Sequence, residues 1–182
     1  NTNQPQDIKN TLSLAESLFS SLGGLKAQRG VKPMFQGRDD HMSFEIVAHN
    51  GLISFYVAVP YVMKNYVEQM ILAQYPEAHL EETQDYNIFT PFGKVKGCYL
   101  SFTREYIFPL KTYTHMDIDP LNSITNTLSK LKERDSASIQ FVIRSAKKEW
   151  HKWGFKTAQD LQKGKQLRDA VNANSPGFNF RK

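Results

Sequence analysis

One cysteine, Cys98, stands among the 182 residues, so the chain can build neither an internal disulfide nor a cysteine-cluster zinc site. A lone thiol fits a reducing compartment. Also missing is any apolar run of the roughly 18 to 20 residues that a bilayer-crossing helix needs. The N-terminus has no basic, apolar and small-residue succession of the kind that marks a signal peptide. The piece therefore reads as soluble, and its first residue, Asn1, fits a processed chain or an excerpt of a longer one.

Catalytic apparatus is just as scarce. A phosphate cradle needs GxxxxGK[ST] between a strand and a helix, so that backbone amides and a lysine surround the phosphates. Gly93-Lys94 and Gly164-Lys165 are each followed by the wrong residue and lack the first glycine at the right distance. No GxSxG elbow and no GxGxxG fingerprint occurs. His41, His49, His79, His115 and His151 are scattered without paired ligand spacing. His41 with Asp39 and Asp40, or His115 with Asp117, would need further convergent ligands to hold a metal. Asp117 and Asp119, just ahead of Pro120, suit a helix cap better than an acid/base pair. The sequence thus predicts no catalytic, cofactor-binding or metal residues, and no enzyme in this chain. Cys98 alternates with apolar neighbours and reads as a packed thiol.

What is present begins with a hairpin. Met42 to Pro60 reads MSFEIVAHNGLISFYVAVP, and Asn50-Gly51 supplies the two positive-φ positions of a tight type I′ turn. That turn sets Ala48 opposite Ile53, Ile46 opposite Phe55, Phe44 opposite Val57 and Met42 opposite Val59. One face is then wholly apolar, and the register is strongly specified. The other face is mixed. Its Val47, His49, Leu52 and Tyr56 are more apolar than a solvated surface requires, so the first helix or a partner should cover them.

Around the hairpin, apolar spacing predicts a helix over 8–22 (Ile8, Leu12, Ala15, Phe19, Leu22), stopped by Gly23-Gly24. A long irregular connection follows to Asp40. A second helix starts at Pro60, carries Val62, Met63, Tyr66, Val67, Met70, Ile71 and Gln74, and ends at Pro76. Strands are expected at 79–83 and 98–103, with a further extended run at 105–113. A third helix bears Leu121, Ile124, Leu128 and Leu131. A last strand presents Ile139, Phe141 and Ile143 on one face. From the second hairpin strand onward this is the order of a ferredoxin-like split β-α-β sandwich, in an α+β domain with helices on one face of a mainly antiparallel sheet. It is extended by an N-terminal hairpin strand and helix and followed by a basic C-terminal helix. The expected divisions are a flexible end over 1–7, a globular α+β domain over 8–144 and a basic helical appendage or linker over 145–182.

The net charge of +5 is unevenly spread: ten basic residues from Arg144 onward face only Glu149, Asp160 and Asp169. Arg144, Lys147, Lys148, Trp150, Lys152 and Trp153 form the candidate contact surface. Aromatic rings can stack on bases while lysines follow phosphates, and the same set can lie at an anionic membrane surface. The alternative is that the tryptophans dock the helix while the lysines reach into water. Gly154 and Gly164 should weaken a continuous helix here.

The run SFEIVAHNGLISFYVAVPYVMKNYVEQMILAQYPEAHLEE with DYNIF, and AESLFSSLGGL, FPLKTY, DPLNSITNTLSKL and IQFVIRSAKKEWHKWG in order around it, carries a resemblance over about Leu12 to Leu167. It resembles the N-terminal non-motor domain of conjugative-transfer and type IV secretion ATPases of Gram-positive and small-genome bacteria. The resemblance implies a docking or assembly domain at the cytoplasmic face of the membrane, with other secretion or conjugation components as partners and the ATPase motor elsewhere in a longer protein. It also implies a strand before the first helix, which polar Asn1 to Asp7 does not supply. The residue reading keeps open a stand-alone nucleic-acid-binding module on the basic segment, and it gives no oligomeric state.

Overall fold

The computed structural model describes residues 4–25, 39–110, 112, 120–132, 134–146 and 148–175. It divides into two compact units, Asn1–Val95 with Pro120–Ser145, and Lys96–Asp119 with Ala146–Lys182. The chain crosses between them three times, the last time after Ser145. The C-terminal unit, however, also takes in the stretch from Lys96, so it is more than an appendage.

The first unit is α+β. Its sheet has three antiparallel strands in the order β2-β1-β3, with β1 (His41–His49) central, β2 (Leu52–Ala58) on one edge and β3 (Ala137–Arg144) on the other. Asn50 and Gly51 both sit at positive φ, as the tight turn requires. The register between them follows: Ala48 pairs with Ile53, Ile46 with Phe55 and Phe44 with Val57. Across the other edge, Met42 pairs with Ile143, Phe44 with Phe141 and Ile46 with Ile139. One face of the sheet therefore gathers apolar side chains from all three strands.

Helices cover that face in two places. Near the Met42 end, α1 (Gln4–Gly23) contributes Leu18 and Leu22. Beside it, α2 (Lys64–Gln74), entered through a 3-10 turn at Tyr61–Met63 after Pro60, contributes Val67. Met63, Met70, Ile71 and Tyr75 pack around this cluster. Toward the hairpin turn, α3 (Pro120–Leu128) sets Leu128 and Ile124 against Ile46 and Ala48. Residues four apart on a helix share a face, and Leu18 with Leu22 form the buried line of α1. The expected stripe through Ala15 and Phe19 is thus displaced. Phe19 is half exposed and meets Phe44 edge-on, with ring centroids 5.1 Å apart.

Several expectations are revised. Helix α1 begins at Gln4, within the stretch expected to be a flexible end, and residues 1–3 of that stretch fall outside the described residues. Residues 79–83 and 98–103 lie outside regular structure, and Cys98 is an exposed thiol where a packed one was expected. Alternation licenses a strand only when an edge pairs with it, and no pairing reaches these segments among the described residues. The caps at Asp117 and Asp119, with His115 and most of the 25–40 connection, fall outside the described residues. No described helix is long and apolar enough to cross a membrane.

The second unit contains a helical hairpin, α4 (Glu149–Gln162) and α5 (Leu167–Asn174). Gly154 does not interrupt α4. Gly164, at φ 85°, ends it: its N–H donates to the Leu161 carbonyl and that of Lys165 to Asp160, the two bonds of a Schellman turn. Trp153 and Thr157 face Ala170 and Val171 across the hairpin, and all four are buried.

Leu22, 2 % exposed, anchors the cluster shared by α1, α2 and β1. Leu22→Ala is expected to lower unfolding free energy by about 2–5 kcal/mol, the range for a buried leucine truncation with its residual cavity. Urea denaturation followed by circular dichroism measures it; a loss below about 1 kcal/mol would mean that α1 is not part of the cooperative core.

Candidate functional site

Three surfaces bear the side chains that can act on something else. The first is the mixed face of the sheet. Val47 is buried, His49 and Tyr56 are half-buried and Leu52 is exposed. α1 does not supply the expected cover, because it packs on the opposite, apolar face. The cover comes instead from Tyr86, in an irregular segment with no apolar periodicity to announce it. Its ring lies 4.7 Å from that of Tyr56, and its hydroxyl donates to Glu45 Oε2. Ser138 Oγ lies 3.0 Å from the same hydroxyl, and His49 Nδ1 is hydrogen-bonded at 2.7 Å to Ser136 Oγ.

Glu45 is only 7 % exposed on a central strand. Burial works against its charged form, but hydrogen bonding, from Tyr86 above all, outweighs that and holds its carboxyl below the ordinary value. Burial, and then the Glu45 carboxylate, push the Tyr86 phenol up. Carboxylate and phenol therefore stabilise each other's charged and neutral forms respectively. The pair ties Tyr86 to the sheet.

The second surface is the turn to which that segment leads. Gly93 N–H donates to the Thr90 carbonyl at 3.1 Å, closing a turn with Pro91 and Phe92 at its centre. Phe92 sits at φ 66°, where glycine is ordinarily required, and its side chain is fully exposed at 105 %. At Gly93 an added Cβ would lie 2.6 Å from Thr90 Oγ1 and 3.1 Å from its carbonyl oxygen, so a larger residue there would make Thr90 shift. Phe89 and Val95 flank it and are exposed as well. The Pro91 and Gly93 signals mark a turn in the sequence, but nothing in them marks Phe92 as its displayed residue.

The third surface is α4. Of the six residues expected to form a contact surface, Arg144 is exposed at the end of β3 in the first unit, and Lys147 lies outside the described residues. Lys148 and Lys152 are exposed on one side of α4. Trp150 is half exposed and leans on His151, ring centroids 3.8 Å apart. Trp153 turns inward: its Nε1 donates to the Val171 carbonyl at 3.0 Å, and Tyr106 meets it edge-on at 5.0 Å. It is therefore core of its own unit and not a contact residue. Two residues three apart on a helix differ by about 60° in direction, which lets one tryptophan face in and the other aside. Phe155, overlooked in the sequence, is 68 % exposed on the lysine side; a helical wheel with Trp153 inward finds it.

Lys156 and Lys163 extend the lysine side, and Asp160 is tied back to the hairpin. Asn174 Nδ2 donates to Asp160 Oδ2 at 2.9 Å and Lys165 Nζ lies 3.0 Å away, which together hold that carboxyl below its ordinary value. Elsewhere, Phe102–Leu110 line an open groove of about 250 Å³. Among the described residues no three His, Cys, Asp or Glu side chains converge as metal ligands.

The chain belongs to the family described as Domain of unknown function (DUF8128), whose model matches residues 3–175. No curated protein and no solved structure matches it.

Tyr86→Phe removes a hydrogen bond to a buried carboxylate and is expected to cost about 1.5–3 kcal/mol at pH 7. Because the folded-state pKa of Glu45 is depressed, its contribution is fully present above the unfolded value near 4.5 and fades as pH falls through the lower folded value. The stability curves of the parent and the variant should therefore converge in acid, as urea midpoints taken between neutral and acidic pH would show. A gap that stays constant into strong acid would separate Glu45 ionisation from the Tyr86 contact.

Proposed function

We propose that this chain is a non-catalytic docking and assembly domain of a bacterial, membrane-associated ATPase that drives conjugative DNA transfer or type IV secretion. The domain works at the cytoplasmic face and binds other components of the secretion or conjugation machinery. The resemblance over Leu12 to Leu167 supports the parent class. The observation that carries the docking role is the turn at Thr90–Gly93. There a fully exposed phenylalanine is held in a backbone conformation that costs of order 1–3 kcal/mol for a residue other than glycine.

A displayed aromatic on a strained turn is the form that an interface anchor takes, since buried aromatics dominate binding energy. Tyr99, Leu100 and Phe102 continue the exposed apolar character of the chain, well beyond the scattered single residues of an ordinary surface. In finer detail we propose a ferredoxin-like sandwich for the assembled state, with strands at 79–83 and 98–103 ordering when the partner is bound.

The test is a separation of functions in the parent protein. Phe92→Gly relieves the positive φ and is expected to raise the domain's stability by about 0.5–1 kcal/mol. In the same variant, DNA or protein transfer should fall at least about tenfold, the effect of losing a hot-spot side chain, while the ATPase rate of the parent stays unchanged. Unimpaired transfer would overturn the docking role, and a lost ATPase rate would overturn the non-catalytic assignment. A reading frame without a GxxxxGK[ST] motor would remove the parent class.

A further inference from the structure

Helix α4 divides its surface cleanly. Trp153 and Thr157 are spent on α5, the former hydrogen-bonded to the Val171 carbonyl and the latter set against the Ala170 carbonyl at 3.5 Å. Facing away from them are the N-cap residue Lys148 and Phe155, and Lys152 and Lys156 continue from Lys148 at four-residue steps along the adjoining flank, with the C-cap Lys163 beyond. All of these are exposed, and among the described residues none of the first three lysines has an ion-pair partner. Glu149 is the exposed carboxylate of the helix, and Asp160 is held by Asn174 and Lys165.

We propose that this side of α4 binds single-stranded nucleic acid, with Lys148, Lys152 and Lys156 following the phosphate backbone and Phe155 stacking on an unpaired base. Four residues of helix advance about 6 Å, so the three ammonium groups form a line along the axis, and a line of positive charge matches a polyanion. An aromatic ring beside that line adds a contact every base can make but a paired, stacked base cannot offer. An interfacial membrane helix would need a free apolar face. The buried side of α4, at Trp153 and Thr157, is taken by α5, and the apolar residues left exposed, Trp150, Phe155 and Leu161, do not gather into one face. The inference rests on α4 and its packing, not on the docking role of the Thr90–Gly93 turn, and the two can fail separately.

The experiment is fluorescence anisotropy of a labelled oligothymidylate of about twenty nucleotides, long enough to span a site of the usual size, titrated with the full chain over a range of salt concentrations. Affinity should fall with salt with a logarithmic slope of about −2 or steeper, from about 0.7 per phosphate contacted. The triple variant Lys148→Gln/Lys152→Gln/Lys156→Gln should flatten that slope by about 2. Phe155→Ala should weaken binding at least about fivefold with the slope unchanged, and Phe155→Trp should restore it.

Because all four positions are exposed, thermal melts of the variants should match the parent. A melt that falls sharply would place these residues in the core and overturn the proposal. So would absence of oligothymidylate binding at low salt, a slope that the triple variant leaves intact, or equal binding before and after Phe155→Ala. Binding to phosphatidylserine vesicles in place of oligothymidylate, lost in the same variants, would assign the surface to membrane and likewise overturn it.

Discussion

Pairing of β1 along both of its edges is the constraint on which the first unit depends. A strand flanked on one side only could slide; β1 is registered by the Asn50-Gly51 turn against β2 and independently by its antiparallel match to β3. Because side chains alternate, a slip of one residue would carry Met42, Ile46 and Ala48 away from α1, α2 and α3 and turn Ser43 and Glu45 into the apolar layer. The two helix clusters are thus positioned by one strand. Leu18, Leu22 and Val67 meet it at Met42, and Leu128 meets it at Ile46 and Ala48.

Central placement has a cost on the opposite face, where Glu45 is withdrawn from water. A buried carboxylate is tolerable when its hydrogen bonds are supplied, and Tyr86 above all supplies them. That requirement explains how a segment without helix or strand is tied to the sheet at Tyr86. Tyr86 is fixed by a polar bond at its tip and ring packing on Tyr56. A few residues later the chain enters the Thr90–Gly93 turn, from which Phe92 projects.

How far the fold was legible follows from how local each signal is. The hairpin, its register, α2, α3 and β3 rest on turn residues and periodicity contained in the segment itself, and they are present as expected. The alternation at 98–103 is equally regular, but a strand is a statement about a neighbour as well as about itself, and no edge pairs with it among the described residues. Tyr86 belongs to the same class. Its role is defined by Glu45, forty-one positions away in the chain, and no property of residues 84–88 encodes that distance. On α4 the relevant information was present: the wheel that buries Trp153 exposes Phe155. A composition of lysines and tryptophans does not reveal which aromatic faces outward until α5 is known to lie against the first.

Glu45, Phe92 and Lys148 each break a local rule, and they differ in how the break is compensated. Glu45 is buried, and hydrogen bonds from its neighbours, Tyr86 first among them, keep its charged form favoured. Phe92 occupies a conformation suited to glycine and packs on nothing. Lys148 caps the N-terminus of α4, where a hydroxyl or carboxylate is favoured, makes no capping bond, and sets a positive charge at the positive end of the helix dipole. A rule broken and repaired within the fold is a matter of architecture. A rule broken on the surface and left unrepaired is better explained by something outside it, since natural sequences give up local consistency chiefly at sites of function. An apolar partner at Phe92 and an anionic one at Lys148 would each turn an internal cost into a favourable contact, and the opposite chemistry of the two positions argues for two separate ligands.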